Sequence, residues 1–382
     1  MLIDYRAALR GRSGVGEYGH QVVASLARHV PRSDGNRAPE ITIFSSSWKD
    51  RLHPSPDLGS VEAIDRRIPV SVLNFAWHRL GWPTVETLSG RTFDITHSLH
   101  PLIMPSRHAA QVVTIHDLHF LHHPELTRGE IRRDYPPLVR AHAHRADAVI
   151  VSSRFTAGEI QRLLDLPADR IHVCPPGAPD WRPLQAEAGF RAAGAPGVHD
   201  RYVLFFGTLE PRKNVGALLD AYELLLARRR VPELVLAGQA TDASRGWLDR
   251  ISRPPLSGHV RHVGYVNASD RRALYEGAQM LVQPSLEEGF GLTVLEAMTA
   301  GVPVVAANRG ALPELVEQAG LLVEPEPDAL AAAIEVMLTD QSVSRRSADQ
   351  GRLRAGQFSW ASTAERVYNV YQQAMAHHAN RR

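Results

Sequence analysis

The sequence is poor in cysteine, in long apolar runs and in excess charge, and each shortage excludes a class of protein. Cys174 is the single cysteine among 382 residues, so no disulfide can form within the chain and a reducing compartment suits it. No apolar run approaches the ~18 residues that a membrane-spanning helix needs, and no apolar signal segment follows Met1. The formal net charge of +2 does not indicate a nucleic-acid partner.

The size and composition are those of a globular protein with room for two domains. Hydrophobic residues make up 44% of the chain and charged residues 22%, which is ordinary for two α/β domains that each have a core. We expect a cytoplasmic protein, and contact with the inner face of a membrane is left open. The first predicted strand, 2–5, is very short, which also leaves open whether the chain begins at its natural start.

Short apolar runs, glycine loops and helical patterns predict a Rossmann-like half up to about residue 180. Residues 2–5 predict a strand, 11–18 form a glycine loop and 19–28 predict a helix, which is how such a half opens. The loop has the spacing G-x-x-G-x-G, which is weak evidence alone. It is not the dinucleotide fingerprint G-x-G-x-x-G, and no clear acidic residue closes a second strand as that fingerprint requires.

Further strands are predicted at 41–45, 94–98 and 111–118, whereas 48–65 has no clean period and is predicted to be loop. An amphipathic helix is predicted within 70–88. That helix could pack on the core, or it could face a membrane or a lipid-linked acceptor.

His116 lies near the carboxyl end of the predicted buried strand 111–118, and ligands of open α/β sheets bind beyond the carboxyl ends of strands. The position makes His116 a candidate site residue. Three more histidines follow closely at His119, His122 and His123. Their spacing lacks the H-E-x-x-H form of a helical zinc site, so no metal is expected.

A second alternation of strands and helices begins after a predicted linker, 175–179 together with 186–197, and carries cations at its first turn. The predicted strand 202–207 ends at Gly207, and Arg212 and Lys213 precede a predicted helix, 215–228. Two cations before a helix N-terminus are electrostatically unfavourable. A bound anion would relieve the conflict, because Arg can pair with phosphate oxygens in a fork and Lys adds a point charge.

Glycines and carboxylates lie together between a predicted strand, 280–283, and a predicted helix, 292–300. Gly289 and Gly291 allow the backbone to approach a ligand and to take unusual φ values. The N-terminus of the following helix favours an anion such as a diphosphate. Glu288 and Glu296 are spaced E-x7-E, and two such carboxylates can accept hydrogen bonds from the hydroxyls of a sugar and a ribose.

The run EGFGLTVLEAM followed by AGVPVVAANRGALPEL, together with GTLEPRKN and TIHDLHF, resembles the retaining glycosyltransferases of family 4, mannosyltransferase-like members included. The resemblance covers nearly the whole chain. It implies the α/β GT-B fold, in which two Rossmann-like α/β/α domains face each other across a cleft. Residues 1–180 would be the acceptor-binding domain and 181–360 the nucleotide-sugar-binding domain. Residues 361–382 would form a C-terminal helix that crosses back to the first domain.

The same resemblance implies roles for individual residues. His116 and Glu288 would contact the donor sugar, Glu296 the ribose, and Arg212 with Lys213 would neutralise the donor diphosphate. Base contacts are implied for Tyr265 and Val266. The full set of further donor-binding candidates is Gly14, Gly16, Gly207, Tyr265, Val266, Gly289, Phe290, Gly291 and Leu292.

The implied activity is transfer of a hexosyl group, predicted to be mannose from GDP-mannose, to a hydroxyl of a glycan or lipid-linked acceptor. Retention of configuration is implied, and neither a metal nor a cofactor is expected.

Two other classes stay open on the sequence alone. One is another GT-B enzyme, such as a sugar-nucleotide epimerase or hydrolase. The other is a non-catalytic nucleotide-sugar-binding subunit, which would be expected to have lost site residues, although Arg212, Lys213, Glu288 and Glu296 are all present. A nicotinamide dehydrogenase is disfavoured because the dinucleotide fingerprint is missing.

Overall fold

The structure, a computed structural model, describes residues 1–9, 14–29, 39–53, 55–59, 61–126, 129–181 and 201–381. Of the predicted linker, 175–179 lies within these residues and 186–197 lies outside them. The chain forms two compact units, one of Met1–Gly177 with Ser359–Arg382 and the other of Ala178–Phe358.

The first unit is built on a seven-stranded sheet with the strand order β3-β2-β1-β4-β5-β6-β7. The strands, all paired in parallel, are β1 (Leu2–Asp4), β2 (Thr42–Ser46), β3 (Glu62–Arg66), β4 (Ile95–Ser98), β5 (Ala110–Ile115), β6 (Ala148–Val151) and β7 (Ile171–Val173). The helices are α1 (Val15–His29), α2 (Val70–Phe75), α3 (Val85–Ser89), α4 (His119–His122), α5 (Gly129–Arg145) and α6 (Arg154–Leu164). Every residue of β5 is buried, as expected of a central parallel strand that is covered on both faces.

The second unit has a six-stranded parallel sheet with the order β10-β9-β8-β11-β12-β13. Its strands are β8 (Tyr202–Phe206), β9 (Leu234–Ala237), β10 (Val260–Gly264), β11 (Ala278–Gln283), β12 (Val304–Ala307) and β13 (Leu321–Val323). Its helices are α7 (Val215–Arg228), α8 (Arg245–Ile251), α9 (Ala268–Gly277), α10 (Leu292–Ala300), α11 (Leu312–Val316), α12 (Pro327–Thr339) and α13 (Gln341–Ala355). The predicted α/β class, with two parallel sheets and their helices, is therefore confirmed.

The last helix, α14 (Trp360–Asn380), belongs to the first unit. The hydroxyl of Tyr371 lies 2.7 Å from Nδ1 of the buried His97 on β4, and Thr363 donates to the carbonyl of Pro175 at 2.7 Å. Burial lowers the pKa of His97 to about 3, so this ring is neutral in the core. The helix is thus held by hydrogen bonds inside the apolar core as well as by packing.

One prediction for the first unit is wrong, and another agrees with the structure only in part. The predicted loop, 48–65, contains β3, where only Ile64 is buried; an edge strand with so little apolar content has no alternation to detect. The amphipathic helix predicted within 70–88 is present over 70–80, as α2 and a π-type turn, and is separated from α3. Gly81, with φ +63°, and Pro83 interrupt it, because one takes a left-handed conformation and the other lacks an N–H donor.

None of the helices within the described residues is long and apolar enough to cross a membrane.

Candidate active site

The loops after β8 and β11 meet where the strand order of the second sheet reverses. Ligands of open α/β sheets bind at such a switch point. The loop after β8 contains a 3₁₀ turn, Pro211–Lys213, and the loop after β11 leads into α10. The N–H of Leu286 donates to the carbonyl of Arg212 at 2.9 Å, which joins the two loops through their backbones.

Glu288 is the centre of a buried polar cluster at this point. Its Oε1 accepts hydrogen bonds from Lys213 Nζ at 2.5 Å, Ser285 Oγ at 2.8 Å and Gln283 Nε2 at 3.0 Å. Its Oε2 lies 3.4 Å from Nη1 of Arg212. Three short bonds on one oxygen fix the orientation of the carboxylate and direct Oε2 toward Arg212.

The charges of the cluster keep Glu288 ionised. Burial by itself would raise the pKa of Glu288, but the charges of Lys213 and Arg212 outweigh it and lower that pKa to about 2. Burial lowers the pKa of Lys213, and the attraction of Glu288 opposes that shift. The pair is therefore a carboxylate bound to an ammonium, in surroundings that solvate neither group well.

The two cations lie in the turn before the helix, as the sequence predicts. They lie on the separate turn Pro211–Lys213, and Asn214, with φ +55°, separates that turn from α7. Besides Glu288, Arg212 contacts the carboxylate of Glu210 at 2.8 Å and the carbonyl of Glu287 at 2.9 Å. The anions that relieve the clash between the cations are thus supplied by the chain itself.

Two glycines shape the loop that carries Glu288. Gly291 has φ +102° immediately before α10, and a Cβ there would lie 2.8 Å from Cδ2 of Leu312. Gly310 has φ +60°, and a Cβ there would lie 2.7 Å from the backbone N and O of Glu288. The next residue, Ala311, donates its N–H to the carbonyl of Glu288 at 2.9 Å. Gly310 was not among the predicted site residues, although it lies in the run AANRGALPEL.

Glu296, on α10, is held by two residues that the sequence did not single out. Arg271 Nη1 lies 2.9 Å from Oε1 and the Tyr275 hydroxyl lies 2.8 Å from Oε2. Arg271 and Tyr275 are four residues apart on α9, so they project from the same helix face. The guanidinium of Arg271 also stacks over the ring of Phe206 at 5.8 Å. All three partners in the hydrogen bonds are buried.

The other predicted site residues of the second unit differ in how far their side chains are exposed. Tyr265 is 51% exposed just after β10, while Val266 and Leu292 are partly buried against the core. Phe290 is buried and packs against Phe358 with ring centroids 5.7 Å apart.

Gly207 lies directly after β8, and the backbone of a neighbouring loop approaches it closely. Its N–H donates to Ala237 at 2.9 Å. A Cβ on Gly238 would lie 1.9 Å from the Gly207 carbonyl, so Gly238 cannot be replaced without moving the backbone. Gly289 follows Glu288 in the buried part of the loop.

In the first unit, His116 lies directly after β5. Its Nε2 is 3.1 Å from the carbonyl of Leu99, so Nε2 carries the proton and Nδ1 is the acceptor of the ring. Burial lowers the pKa of His116, which keeps the ring neutral near pH 7. The ring of Tyr18 packs edge-on at 5.0 Å. Gly14, with φ +52°, precedes α1, and Gly16 is buried in its first turn.

A further polar cluster lies where the first sheet reverses strand order, between β1 and β4. Arg6 holds the buried Asp4 at 2.6 Å and donates to Asn74 at 2.8 Å, and His100 lies 3.0 Å from Asp4. Burial opposes ionisation, but Arg6 and His100 hold the pKa of Asp4 well below its ordinary value. The sequence-based prediction missed this cluster, although a carboxylate at the end of the first strand was visible.

Comparison with known proteins identifies relatives along most of the chain. Residues 19–182 match the family model described as Glycosyltransferase Family 4, and residues 200–340 match that of Glycosyl transferases group 1. The chain is 35% identical over 386 residues to the O-antigen chain mannosyltransferase B of Escherichia coli, covering 94% of this chain and 96% of that protein.

Solved structures share the fold. Sucrose-phosphate synthase from Thermosynechococcus elongatus superposes with a TM-score of 0.76 at 22% identity, covering 98% of both chains. Alr3699/HepE from Anabaena, solved in complex with UDP and glucose, gives a TM-score of 0.69 at 18% identity, covering 96% of this chain and 98% of that one.

The two parallel α/β units and the structures that superpose on them show that the chain has the GT-B fold. The chain belongs to glycosyltransferase family 4, within the group 1 glycosyl transferases, and is therefore an enzyme. The predicted family is confirmed, while the roles of the individual site residues stay predictions.

Proposed function

We propose that this enzyme transfers a mannosyl group from GDP-mannose to a hydroxyl of a glycan or of a lipid-linked acceptor. The observation that carries the proposal is the cluster of Glu288, Lys213 and Arg212, which offers a sugar-binding carboxylate beside two phosphate-binding cations. The choice of mannose is supported by the name of the relative that matches 94% of the chain. The choice of GDP is supported only by the mannosyltransferase-like segments TIHDLHF and GTLEPRKN.

Charge stabilisation of the leaving diphosphate is the main catalytic effect in this proposal. As the bond from the sugar C1 to the phosphate oxygen breaks, negative charge grows on the diphosphate. Arg212 and Lys213 face that charge from a half-buried turn, where an electrostatic interaction is stronger than in water. Glu288 accepts hydrogen bonds from the donor sugar through Oε2, the oxygen that Lys213 does not occupy. Glu296 accepts those of the ribose.

The first unit supplies the acceptor side and one sugar contact. The neutral ring of His116 offers Nδ1 to a sugar hydroxyl, because its Nε2 is committed to Leu99. The backbone around Gly14 and Gly16, at the start of α1, meets the donor phosphate or the acceptor. The protein works in the cytoplasm, and a lipid-linked acceptor would bring it to the inner face of the membrane.

Transfer proceeds with retention in this proposal. The acceptor oxygen attacks C1 from the face that the diphosphate leaves, the bond from C1 to the diphosphate oxygen breaks, and a diphosphate oxygen takes the acceptor proton. This route needs no covalent intermediate on a side chain. The anomeric configuration of the product, read by NMR, tests it, and an inverted product would contradict it.

Donor choice is tested by calorimetry with GDP, UDP, dTDP and ADP, followed by transfer assays with the matching mannose and glucose donors. GDP is expected to bind most tightly. Tightest binding to UDP, the nucleotide in the Anabaena structure, would overturn the choice of donor. Release of free mannose without an acceptor would point to a hydrolase, and an epimerised nucleotide-sugar would point to an epimerase.

The enzyme is expected to work without a divalent metal, because Arg212 and Lys213 supply the charge that a metal would otherwise give. Turnover should be unchanged in excess EDTA. Loss of turnover that added Mg²⁺ or Mn²⁺ restores would contradict this expectation.

A further inference from the structure

The ring of His116 is held by contacts from two other parts of the first unit. Its Nε2–H donates to the carbonyl of Leu99, directly after β4, at 3.1 Å. The ring of Tyr18, near the start of α1, packs against it with 5.0 Å between the ring centroids and 84° between the ring planes. The hydrogen bond fixes one nitrogen of the imidazole, and the edge-to-face contact restricts rotation of the whole ring.

The position of Leu99 depends on the same turn of α1. Gly19 follows Tyr18, and a Cβ on Gly19 would lie 2.6 Å from Cδ1 of Leu99. The Leu99 side chain lies this close to α1 because residue 19 has no Cβ. Two adjacent residues of one helix therefore contact the ring of His116 and the residue whose carbonyl orients that ring.

Tyr18 is itself fixed in the core, whereas the ring in front of it can be reached. Tyr18 is 2% exposed, and its ring lies 6.0 Å from that of Trp360, the first residue of α14. Burial raises the pKa of Tyr18 above its ordinary value, so the phenol is neutral. His116 is only partly buried. A fixed aromatic ring behind a reachable imidazole is an arrangement that keeps a functional side chain in one rotamer.

We propose that Tyr18 is a positioning residue, which acts on the reaction through His116 and not by touching the substrate. A half-turn of the imidazole about its Cβ–Cγ bond would exchange Nδ1 with Cδ2 and would break the hydrogen bond to Leu99. Tyr18 holds the ring in the one orientation in which Nδ1 meets a ligand as an acceptor. The effect on sugar transfer rests on the proposed function, whereas the effect on the ring does not.

NMR of the histidine rings tests the orientation without any need for activity. Full-length protein labelled with ¹⁵N-histidine gives the tautomer and the pKa of each ring, and the His116 signals are those absent from His116→Gln. The wild type should show the Nε2–H tautomer at pH 7. Tyr18→Phe, which keeps the aromatic ring, should preserve this tautomer and the pKa. Tyr18→Leu should mix the tautomers and move the pKa of His116 toward its ordinary value of about 6.5.

The direction of this change follows from the groups around the ring. Burial is the main cause that lowers the pKa of His116, a charge on His100 would lower it further, and Asp117 raises it. His97, on β4, is neutral because burial lowers its pKa to about 3, and Tyr18 is neutral as well. Loss of the Tyr18 ring admits water, which weakens the main lowering effect, so the pKa of His116 should rise.

Kinetics test the effect on transfer. Tyr18→Leu should lower kcat by roughly tenfold to a hundredfold, with a smaller change in the KM for the nucleotide-sugar, because a misplaced group loses more in the transition state than in the ground state. The acid limb of kcat/KM should move to higher pH, since the neutral form of His116 is then lost at a higher pH. Tyr18→Phe should restore both values.

Controls separate positioning from stability. Phe44→Leu removes a similarly buried ring from the other face of the same sheet, where it packs on Trp77. It should lower Tm without altering the His116 signals or the acid limb. In a His116→Gln background, Tyr18→Leu should cause little further loss of activity. If circular dichroism shows that Tyr18→Leu is unfolded, Tyr18→Met replaces it, because a flexible Met fills irregular gaps in a core.

Two outcomes would overturn the proposal. One is an unchanged tautomer and pKa of His116 in Tyr18→Leu. The other is a loss of activity on Tyr18→Leu that is as large in the His116→Gln background as in the wild type, which would mean that Tyr18 does not act through His116. A failure of GDP-mannose as the donor leaves the NMR result unaffected, so this proposal and the proposed function can fail separately.

Discussion

Replacing Lys213 by Met should destabilise the second unit through Glu288. The pKa of Glu288 lies at about 2 instead of 4.5, and a shift of that size corresponds to roughly 3 kcal/mol at about 1.4 kcal/mol per unit. Burial of Lys213 itself offsets part of this stabilisation, and Arg212 would still contact Glu288 in the variant. We therefore expect a loss of about 2 kcal/mol at pH 7, or ~4–8 °C in Tm.

The loss should depend on pH with a definite sign. Because the pKa of Glu288 is lower in the folded than in the unfolded protein, its contribution is fully present above pH 4.5 and is lost as pH falls toward 2. The difference between wild type and Lys213→Met should therefore shrink as pH is lowered below 4.5. Urea unfolding across this range, followed by circular dichroism, measures it.

A double variant separates stability from catalysis. Adding Glu288→Gln to Lys213→Met removes the buried carboxylate that has lost its ammonium partner, so most of the lost stability should return. Transferase activity should be absent in both variants, because neither retains the ammonium at the diphosphate. Lys49→Met changes the other lysine of the chain, which is exposed, and should leave stability at its wild-type value. A Lys213→Met protein as stable as the wild type at pH 7 would refute the reasoning.

Two further predictions concern the supports of the site. Gly291→Ala should cost about 1–3 kcal/mol of stability in urea unfolding, because φ is +102° and the new Cβ would press on Leu312; wild-type stability would argue against strain there. Arg271→Met should raise the Kd for the nucleoside diphosphate by roughly tenfold or more with a smaller change in kcat, since Glu296 loses a charge-assisted bond. Arg272→Met is the control, because Arg272 pairs with Glu276 instead, and an undiminished effect of Arg271→Met in a Glu296→Gln background would contradict the role.

Much of the second unit could be predicted because its signals are local. Apolar runs such as 202–207 and 280–283, each followed by glycine and a helical pattern, indicate a strand, a loop and a helix without any long-range information. The rule that ligands bind at strand ends then brings Arg212, Lys213 and Glu288 to one edge of the sheet. Their direct contact in the structure agrees with that reasoning.

What could not be predicted depends on contacts distant in sequence. Arg271 lies 25 residues before Glu296, and on α9 it has the pattern of an ordinary surface charge. A glycine is required at position 310 because a Cβ there would collide with the backbone of Glu288. No local sequence pattern reveals this contact. The strand Glu62–Arg66 forms because β2 lies beside it, although its own residues carry almost no apolar signal.

The position of α14 has a consequence for how the protein is made. The first unit needs Ser359–Arg382 as well as Met1–Gly177, so the second unit, Ala178–Phe358, is inserted within it. During synthesis the whole sequence of the inserted unit emerges before the first unit is complete. The first unit still lacks α14, where Tyr371 contacts His97. Because domains generally fold as units during synthesis, the order of folding should run opposite to the order of the sheets along the chain. Until α14 arrives, the apolar face of α1 that it covers would be exposed and open to chaperones.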